Sequence, residues 1–341
     1  MKVRAKAPLR LGIGGGGTDV SPYSDVYTGA VLNATINMYA YTFLETVEGD
    51  AVRFTARDLA EEDVIELGES DSSGQGGLVL HRAVYQRVIK QFNNGIHIPL
   101  HLTTYCDAPA GSGLGSSSAL VVSMLEAFRE LLSLPLGEYD VAKLAYAIER
   151  IECGLSGGKQ DQYAACFGGF NFIEFGAEDL VVVTPLRIRR HIINEFEAST
   201  VLYYTGASRK SAKIIEDQVA SIKSPGNPLD AMHEIKKSAY KLKASLLRGS
   251  IPELAIGLKA SWEAKKATSS SISNDQIMNL EQIVLSAGAI SMKVSGAGGG
   301  GFIMILTSPE KKHTIIEVLQ GQNGQVVNFE FTSGGVMSWR I

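Results

Sequence analysis

DAPAGSGLGSSSA, residues 107–119, is the stretch whose reading decides the fold. It places glycines and serines between IHIPLHLTTY (96–105), which alternates apolar and polar residues like a half-buried strand, and ALVVSMLEAFRELL (119–132), which carries a helical period. The pattern predicts strand, loop and helix in that order. A helix opening at the serines would aim unpaired N–H groups and a positive dipole end into the loop, and Gly111, Gly113 and Gly115 would let main chain approach an anion with no Cβ between. Pro109, Ser112, Leu114, Ser116, Ser117 and Ser118 complete the predicted cradle, with a nucleoside triphosphate as occupant. Ser116 and Ser118 read equally as phosphate-facing or as helix-capping hydroxyls.

Two further glycine clusters flank this loop at a distance, KAPLRLGIGGGGTD (6–19) and KVSGAGGGGFIMIL (293–306). None of the three holds G-x-x-x-x-G-K-[ST], so no lysine sits where a P-loop places one. Gly12–Gly17 and Gly296–Gly301 both fit G-x-G-x-x-G, but the second runs into the strand-like FIMIL rather than a helix. The first meets Pro22 early, and residues 34–37 hold no acid where a ribose ligand would stand. A dinucleotide fold is the weaker reading.

The three motifs, in this order, resemble the GHMP small-molecule kinases, named for galactokinase, homoserine kinase, mevalonate kinase and phosphomevalonate kinase. Within that family PLRLGIGGGGTD (8–19), GGKQDQYAACFGGFNFIEF (157–175) and GVMSWRI (335–341) are similar to the branch that phosphorylates the anomeric hydroxyl of D-glycero-D-manno-heptose 7-phosphate. The L-fucose kinase branch, which acts on an unphosphorylated sugar, is the neighbouring alternative. The resemblance implies an α+β fold of two domains. Residues 1–190 would form a domain like ribosomal protein S5 domain 2, with the ATP-binding loop, and residues 191–341 a ferredoxin-like sandwich, with the active site between them. It also implies ATP as co-substrate, Mg2+ as cofactor, and a 1,7-bisphosphate product destined for nucleotide-activated heptose synthesis. A sugar or nucleotide sensor without turnover is the rival from another class, and the joint presence of Arg10, Ser117, Glu149 and Asp161 favours the enzyme.

Residue by residue, the resemblance makes Asp161, behind a glycine pair at the predicted start of a short helix, the catalytic base. The same aspartate read without it is a first-turn acid stabilised by the helix dipole. Arg10 matches the basic group beside that aspartate, lowering its pKa and neutralising developing charge. Glu149, with Ser117, matches the magnesium ligands, and Glu152 is its rival within AIERIECG. Asp19 matches a sugar-hydroxyl ligand, while Gly14, Gly15, Gly16, Gly17 and Thr18, with Gly298 and Gly299 of the third motif, are expected near the sugar. Four glycines stand where galactokinases carry larger residues, which argues against galactose. A phosphorylated acceptor needs a second anion site, and YYTGASRKSAKI (203–214) offers Arg209 at a predicted helix start.

Composition agrees with a two-domain enzyme: 341 residues, 45% of them hydrophobic, supply two cores, and a net charge of −4 leaves no basic face for nucleic acid. Cys106, Cys153 and Cys166 lack disulfide or zinc spacing and read as reduced thiols. MKVRAKAPLRLGI lacks a signal-peptide core and no apolar run approaches a membrane span, so the expected compartment is the cytoplasm and no membrane partner is expected. The partners expected are a small sugar phosphate and ATP, with a homodimer left open. The histidines form no metal motif, and His97 and His101 are expected on one face of the 96–105 strand. Expected strands also include VRAKAPLRL, GAVLNATI, MYAYTFLET and AVRFTA, a helix covers 79–92, and 70–77 reads as a surface loop.

Overall fold

The computed structural model describes residues 1–67, 77–206, 211–222 and 227–341; most of the expected 70–77 loop lies outside them. The first part of the chain contains β1 (Lys2–Gly14), α1 (Tyr23–Tyr27), β2 (Gly29–Thr46), β3 (Ala51–Ala56), β4 (Glu61–Glu66), α2 (Val79–Phe92) and β5 (Leu100–Cys106). There follow α3 (Ser116–Leu132), α4 (Glu138–Tyr146), a π-helical turn (Ala147–Glu152), α5 (Gln160–Phe167), β6 (Phe170–Phe175), β7 (Val181–Pro185) and α6 (Arg190–Ala198). The remainder is β8 (Thr200–Tyr204), α7 (Ser211–Ile222), α8 (Asn227–Arg248), α9 (Ile251–Lys266), α10 (Asp275–Ser286), β9 (Ser291–Val294), β10 (Phe302–Leu306), α11 (Lys312–Gln320), β11 (Gln325–Val327) and β12 (Met337–Arg340).

Eight strands form the first sheet, in order β12-β1-β2-β5-β3-β4 with β6 also on β2 and β7 beyond it. Every pairing is antiparallel except β3 with β5. In β1, burial alternates from Lys2 to Ala5, as one covered face requires; from Ala7 onward every residue is buried, where α3, α5 and α8 pack on the strand. In β2 the order reverses, with residues 29–36 buried throughout and alternation from Asn37. That change of pattern is why GAVLNATI and MYAYTFLET read as separate strands. They are one strand of 18 residues, bulged where the register jumps from Pro8↔Tyr39 to Leu9↔Ile36. The buried half pairs with β6 and the alternating half with β5.

The expected 96–105 strand starts only at Leu100. His97 therefore lies before it, its ring beside Tyr85 with the Tyr85 hydroxyl 3.2 Å from Nδ1, and it shares no strand face with His101.

The second sheet runs β11-β8-β10-β9, all antiparallel. Numbered from β8 this is the 4-1-3-2 order of a β-α-β-β-α-β unit, with four helices, α7 to α10, in the first crossover. One face, with Val201, Ile303 and Ile305, packs with Trp262 and Ile315; the other, with Leu202, Phe302 and Met304, joins the core that underlies the first sheet. Burial on both faces explains the unbroken apolar run FIMIL. After β11 the chain returns to the first sheet, bridging Phe331 to Ile36 and pairing β12 with residues 3–6.

No helix among the described residues is long and apolar enough to cross a membrane. The three cysteines are free; burial pushes the Cys106 thiol up to about 12 and Cys166 well above its ordinary value.

Candidate active site

The three glycine clusters converge on one cavity, bordered by Arg10 and Asp19 from the first, Gly111, Gly113, Gly115, Ser116 and Ser117 from the second, and Gly296 from the third. The loop of residues 107–115 is fixed on two sides before any ligand arrives. Arg10 N–H donates to the Leu114 carbonyl at 3.0 Å and its guanidinium to the Gly113 carbonyl at 2.6 Å. From the other side Ser295 Oγ donates to the Gly113 carbonyl at 3.0 Å, and Phe302 N–H to the Ser112 carbonyl at 2.9 Å. Gly113 has φ +87°, and a Cβ there would stand 2.5 Å from the Ser295 carbonyl oxygen. Glycine is required at this position by contact between two backbones, rather than by a phosphate passing over it.

α3 begins at Ser116, and Ser116 and Ser117 of its first turn line the cavity together with the loop glycines, the arrangement of a helix-terminus anion site. Pro109 stands exposed in the turn below, its carbonyl accepting from Ser112 N–H; Ser112 and Leu114 are buried beneath the loop.

Arg10 also holds Asp161. Its Nε donates to Asp161 Oδ1 at 2.7 Å and Nη2 lies 2.6 Å from the same oxygen, with Arg10 buried and Asp161 partly open to the cavity. Asp161 is in the first turn of α5, as expected, and lies directly beside Gly115.

Asp19 is buried, accepting from Gly17 N–H at 3.1 Å, Gln160 N–H at 3.1 Å and Gln160 Nε2 at 3.0 Å. Burial, and then the charge of Asp161, push its carboxyl above the usual range, against those hydrogen bonds.

Glu149 and Glu152 separate cleanly. Glu152 forms a half-exposed pair with Arg87, whereas Glu149 is fully buried, and its carboxylate accepts from Ser117 Oγ, Ser118 Oγ and Gln162 Nε2, each at 2.7 Å. Ser118 thus serves Glu149 rather than capping α3. Glu149 belongs to the π-helical turn, in which Cys153 N–H reaches back to the Ile148 carbonyl.

Of the first glycine run, Gly17 lines the cavity, and Gly16 stands beside the lining residues Gln160 and Lys265. A Cβ on Gly14 would meet Leu242 of α8 at 2.5 Å and one on Gly15 the Ala30 carbonyl at 1.9 Å. Thr18 is buried with its hydroxyl on the Gly15 carbonyl at 2.7 Å. Gly298 and Gly299 do not line the cavity. They pack on the 3-10 turn Ser270–Ile272, Gly299 N–H donating to the Ile272 carbonyl at 2.8 Å, because that turn and the start of α10 anchor the far end of the third loop. Arg209 lies outside the described residues.

Residues 79–169 match the GHMP kinases N terminal domain and residues 242–324 the GHMP kinases C terminal domain. Over 340 residues, 99% of each chain, the sequence is 45% identical to the D-glycero-alpha-D-manno-heptose 7-phosphate kinase of Campylobacter jejuni. The chain belongs to the GHMP kinases. A crystal structure of a D-glycero-D-manno-heptose 1-phosphate kinase from Bacteroides thetaiotaomicron is 44% identical and aligns with a TM-score of 0.84 over 99% of both chains. The L-fucokinase/L-fucose-1-P guanylyltransferase of Bacteroides fragilis is 25% identical over 93% of this chain and 36% of its own length.

Three basic residues of this GHMP kinase escaped the reading of its sequence. Lys265, on α9, is only 3% exposed, lines the cavity, and donates from Nζ to the Gly296 carbonyl. Burial pulls its pKa down to about 8, against the opposing pull of Asp19. A signal existed: Ile251, Leu254, Ala255, Leu258, Ser261 and Trp262 form the buried stripe of α9, and Lys265 continues it, whereas Lys266 points to Glu263 and Glu281 outside. Lys293, in the fully buried β9, donates to the carbonyls of Gly12 at 2.7 Å and Ile13 at 3.0 Å, tying the third motif to the first. Burial, then the charges of Lys265 and Arg10, hold it well below its ordinary pKa. Arg150, beside the cavity, stands 3.3 Å from both Glu149 Oε1 and Ser118 Oγ.

Proposed function

We propose that this enzyme transfers the γ-phosphoryl group of ATP to the anomeric hydroxyl of D-glycero-D-manno-heptose 7-phosphate, giving the 1,7-bisphosphate for nucleotide-activated heptose synthesis in the cytoplasm. The observation that carries the reading is Asp161, clamped by Arg10 against the loop and helix terminus of residues 111–117. The loop N–H groups and the α3 dipole would hold the triphosphate, leaving the Asp161 carboxylate within reach of an acceptor hydroxyl at the terminal phosphate. Asp161 orients that hydroxyl and takes its proton, while Arg10 keeps the carboxylate in place and offsets charge developing on the transferred group. Asp19 accepts from sugar hydroxyls, beside the open backbone of Gly16 and Gly17.

Ser117 and Glu149 suit Mg2+. Both offer hard oxygens, and at 2.7 Å apart they approach the spacing of about 3 Å expected for neighbouring corners of a Mg2+ octahedron. When bound, the cation would neutralise the β- and γ-phosphates. The phosphate already on the acceptor is assigned to Arg209, ahead of α7, a helix whose Ile215 and Gln218 border the cavity.

The relatives differ in the acceptor their names state, a heptose 7-phosphate in one and a heptose 1-phosphate in the other. An anomeric kinase requires a free C1 hydroxyl, so the two make opposite demands. An ADP-release assay over heptose 7-phosphate, heptose 1-phosphate, hexose phosphates, free heptose and L-fucose, with 31P NMR of the product, tests the proposal. Turnover of the 7-phosphate with a new anomeric phosphate resonance is expected; preference for the 1-phosphate or for L-fucose would overturn it.

A further inference from the structure

We propose that Lys265 reads the acceptor sugar: its ammonium and the Asp19 carboxylate together hold hydroxyls of the sugar across the opening left by Gly16. This rests on the sugar-kinase reading above and adds a specificity-determining residue to it. Lys265 and Asp19 both line the cavity and are both buried, and the charge of Asp19 favours the Lys265 ammonium, yet they do not form an ion pair among the described contacts. Gly16 stands next to both Lys265 and the amide of Gln160. A Cβ there would lie 3.9 Å from Lys265 Nζ and 3.8 Å from Gln160 Nε2, the amide that donates to Asp19.

An ammonium carries three donors, and one of them is committed to the Gly296 carbonyl. A sugar hydroxyl complements this arrangement, since its oxygen accepts from the ammonium and its hydrogen donates to a carboxylate. A phosphate does not. The adjacent carboxylate of Asp19 repels it, and the nearby cations are already engaged, Arg10 with Asp161 and the Gly113 carbonyl, Lys293 with the carbonyls of Gly12 and Ile13.

The test uses the full chain with Lys265→Met and, separately, Gly16→Ala. The alanine has room in the fold, at ordinary contact distances and outside the left-handed region, and fills only the slot. Heptose 7-phosphate and free heptose are titrated calorimetrically, ATP is titrated alone, and KM and kcat are measured for each substrate. The proposal expects both variants to weaken both sugars by ~10–100-fold, the scale of a hydrogen bond to a charged group, with ATP binding unchanged. In the parent, acceptor kcat/KM should fall as pH rises through the Lys265 titration near 8, in a field set by Arg10, Asp19, Asp161 and Lys293, and Lys265→Met should lack that limb. Loss confined to the phosphorylated sugar, loss confined to ATP, or no loss in either variant overturns the proposal. A parent that binds these sugars without turnover overturns the function above but leaves Lys265 to be judged by the titrations; a parent that binds neither overturns both.

Discussion

Replacing Lys265 with methionine should make the protein more stable while it weakens the enzyme. The ammonium is fully enclosed, and its pKa drops from 10.5 to about 8; at about 1.4 kcal/mol per unit, the folded state bears a penalty of about 3 kcal/mol for keeping that charge at pH 7. Methionine retains the unbranched stem that continues the α9 stripe and removes the charge. It also abandons the Gly296 carbonyl, the loss of a bond from a charged donor worth about 2 kcal/mol. The net gain is about 1 kcal/mol at pH 7, or roughly 1.5 °C in melting temperature for a chain of 341 residues. The pH dependence has a definite sign. Between about 8 and 10.5 the unfolded lysine holds a proton that the folded one has released, so the parent gains stability as pH rises through that window and the variant's advantage shrinks. Urea unfolding of both proteins at pH 7 and pH 9.5, followed by circular dichroism, measures both quantities. A variant less stable than the parent at pH 7, or a gap that stays constant to pH 9.5, would refute the reasoning.

Asp161→Asn keeps the shape of the site but removes the proton acceptor, so kcat should fall by ~10²–10⁴ while calorimetry still detects ATP; near-normal turnover would remove Asp161 from the chemistry. Glu149→Gln keeps the size of the side chain and one accepting oxygen but loses the charge and the second acceptor, so the Mg2+ concentration for half-maximal rate should rise at least tenfold; an unchanged requirement would place the cation elsewhere. Gly113→Ala should cost stability of about 1–3 kcal/mol as well as nucleotide affinity, because its Cβ runs into the Ser295 carbonyl at positive φ. An unshifted melting temperature would show that the two loops yield.

Much of this architecture is legible from periodicity. α2, α3 and the helices of the second half follow their apolar stripes, and the three glycine clusters announce one site. Illegible features have physical causes. β2 changes from two-sided to one-sided burial at its bulge, so a local window sees two strands. Residues 96–99 belong to no strand, their backbone groups being met by the Tyr85 hydroxyl at Ile98 and by Val47 N–H at the Pro99 carbonyl. A glycine tells a reader that space is short, but not whether a ligand or another backbone takes it: Gly14, Gly15 and Gly298 face protein, and Gly17 lines the cavity. Lys265 and Lys293 were hidden by the expectation that lysines are solvated, although each lies in a run whose neighbours are buried.

The seam between the second and third glycine clusters bears on how such enzymes can be recombined. Gly113 and Gly296 meet Cα to backbone, and Ser112 and Phe302 meet through a carbonyl and an N–H, so the two loops touch mainly through backbone, with the Ser295 hydroxyl and the Arg10 guanidinium on the Gly113 carbonyl and Lys265 on that of Gly296. A hybrid joining the first 190 residues of one relative to the remainder of another would keep this backbone joint wherever those glycines are kept, but would also have to rebuild β12 on β1 and Phe331 on Ile36. The side-chain links are the demanding ones, because Leu242 must find a glycine at position 14 and Lys265 must find its slot at position 16. Acceptor choice, rather than nucleotide binding, is then the property that shuffling halves would scramble.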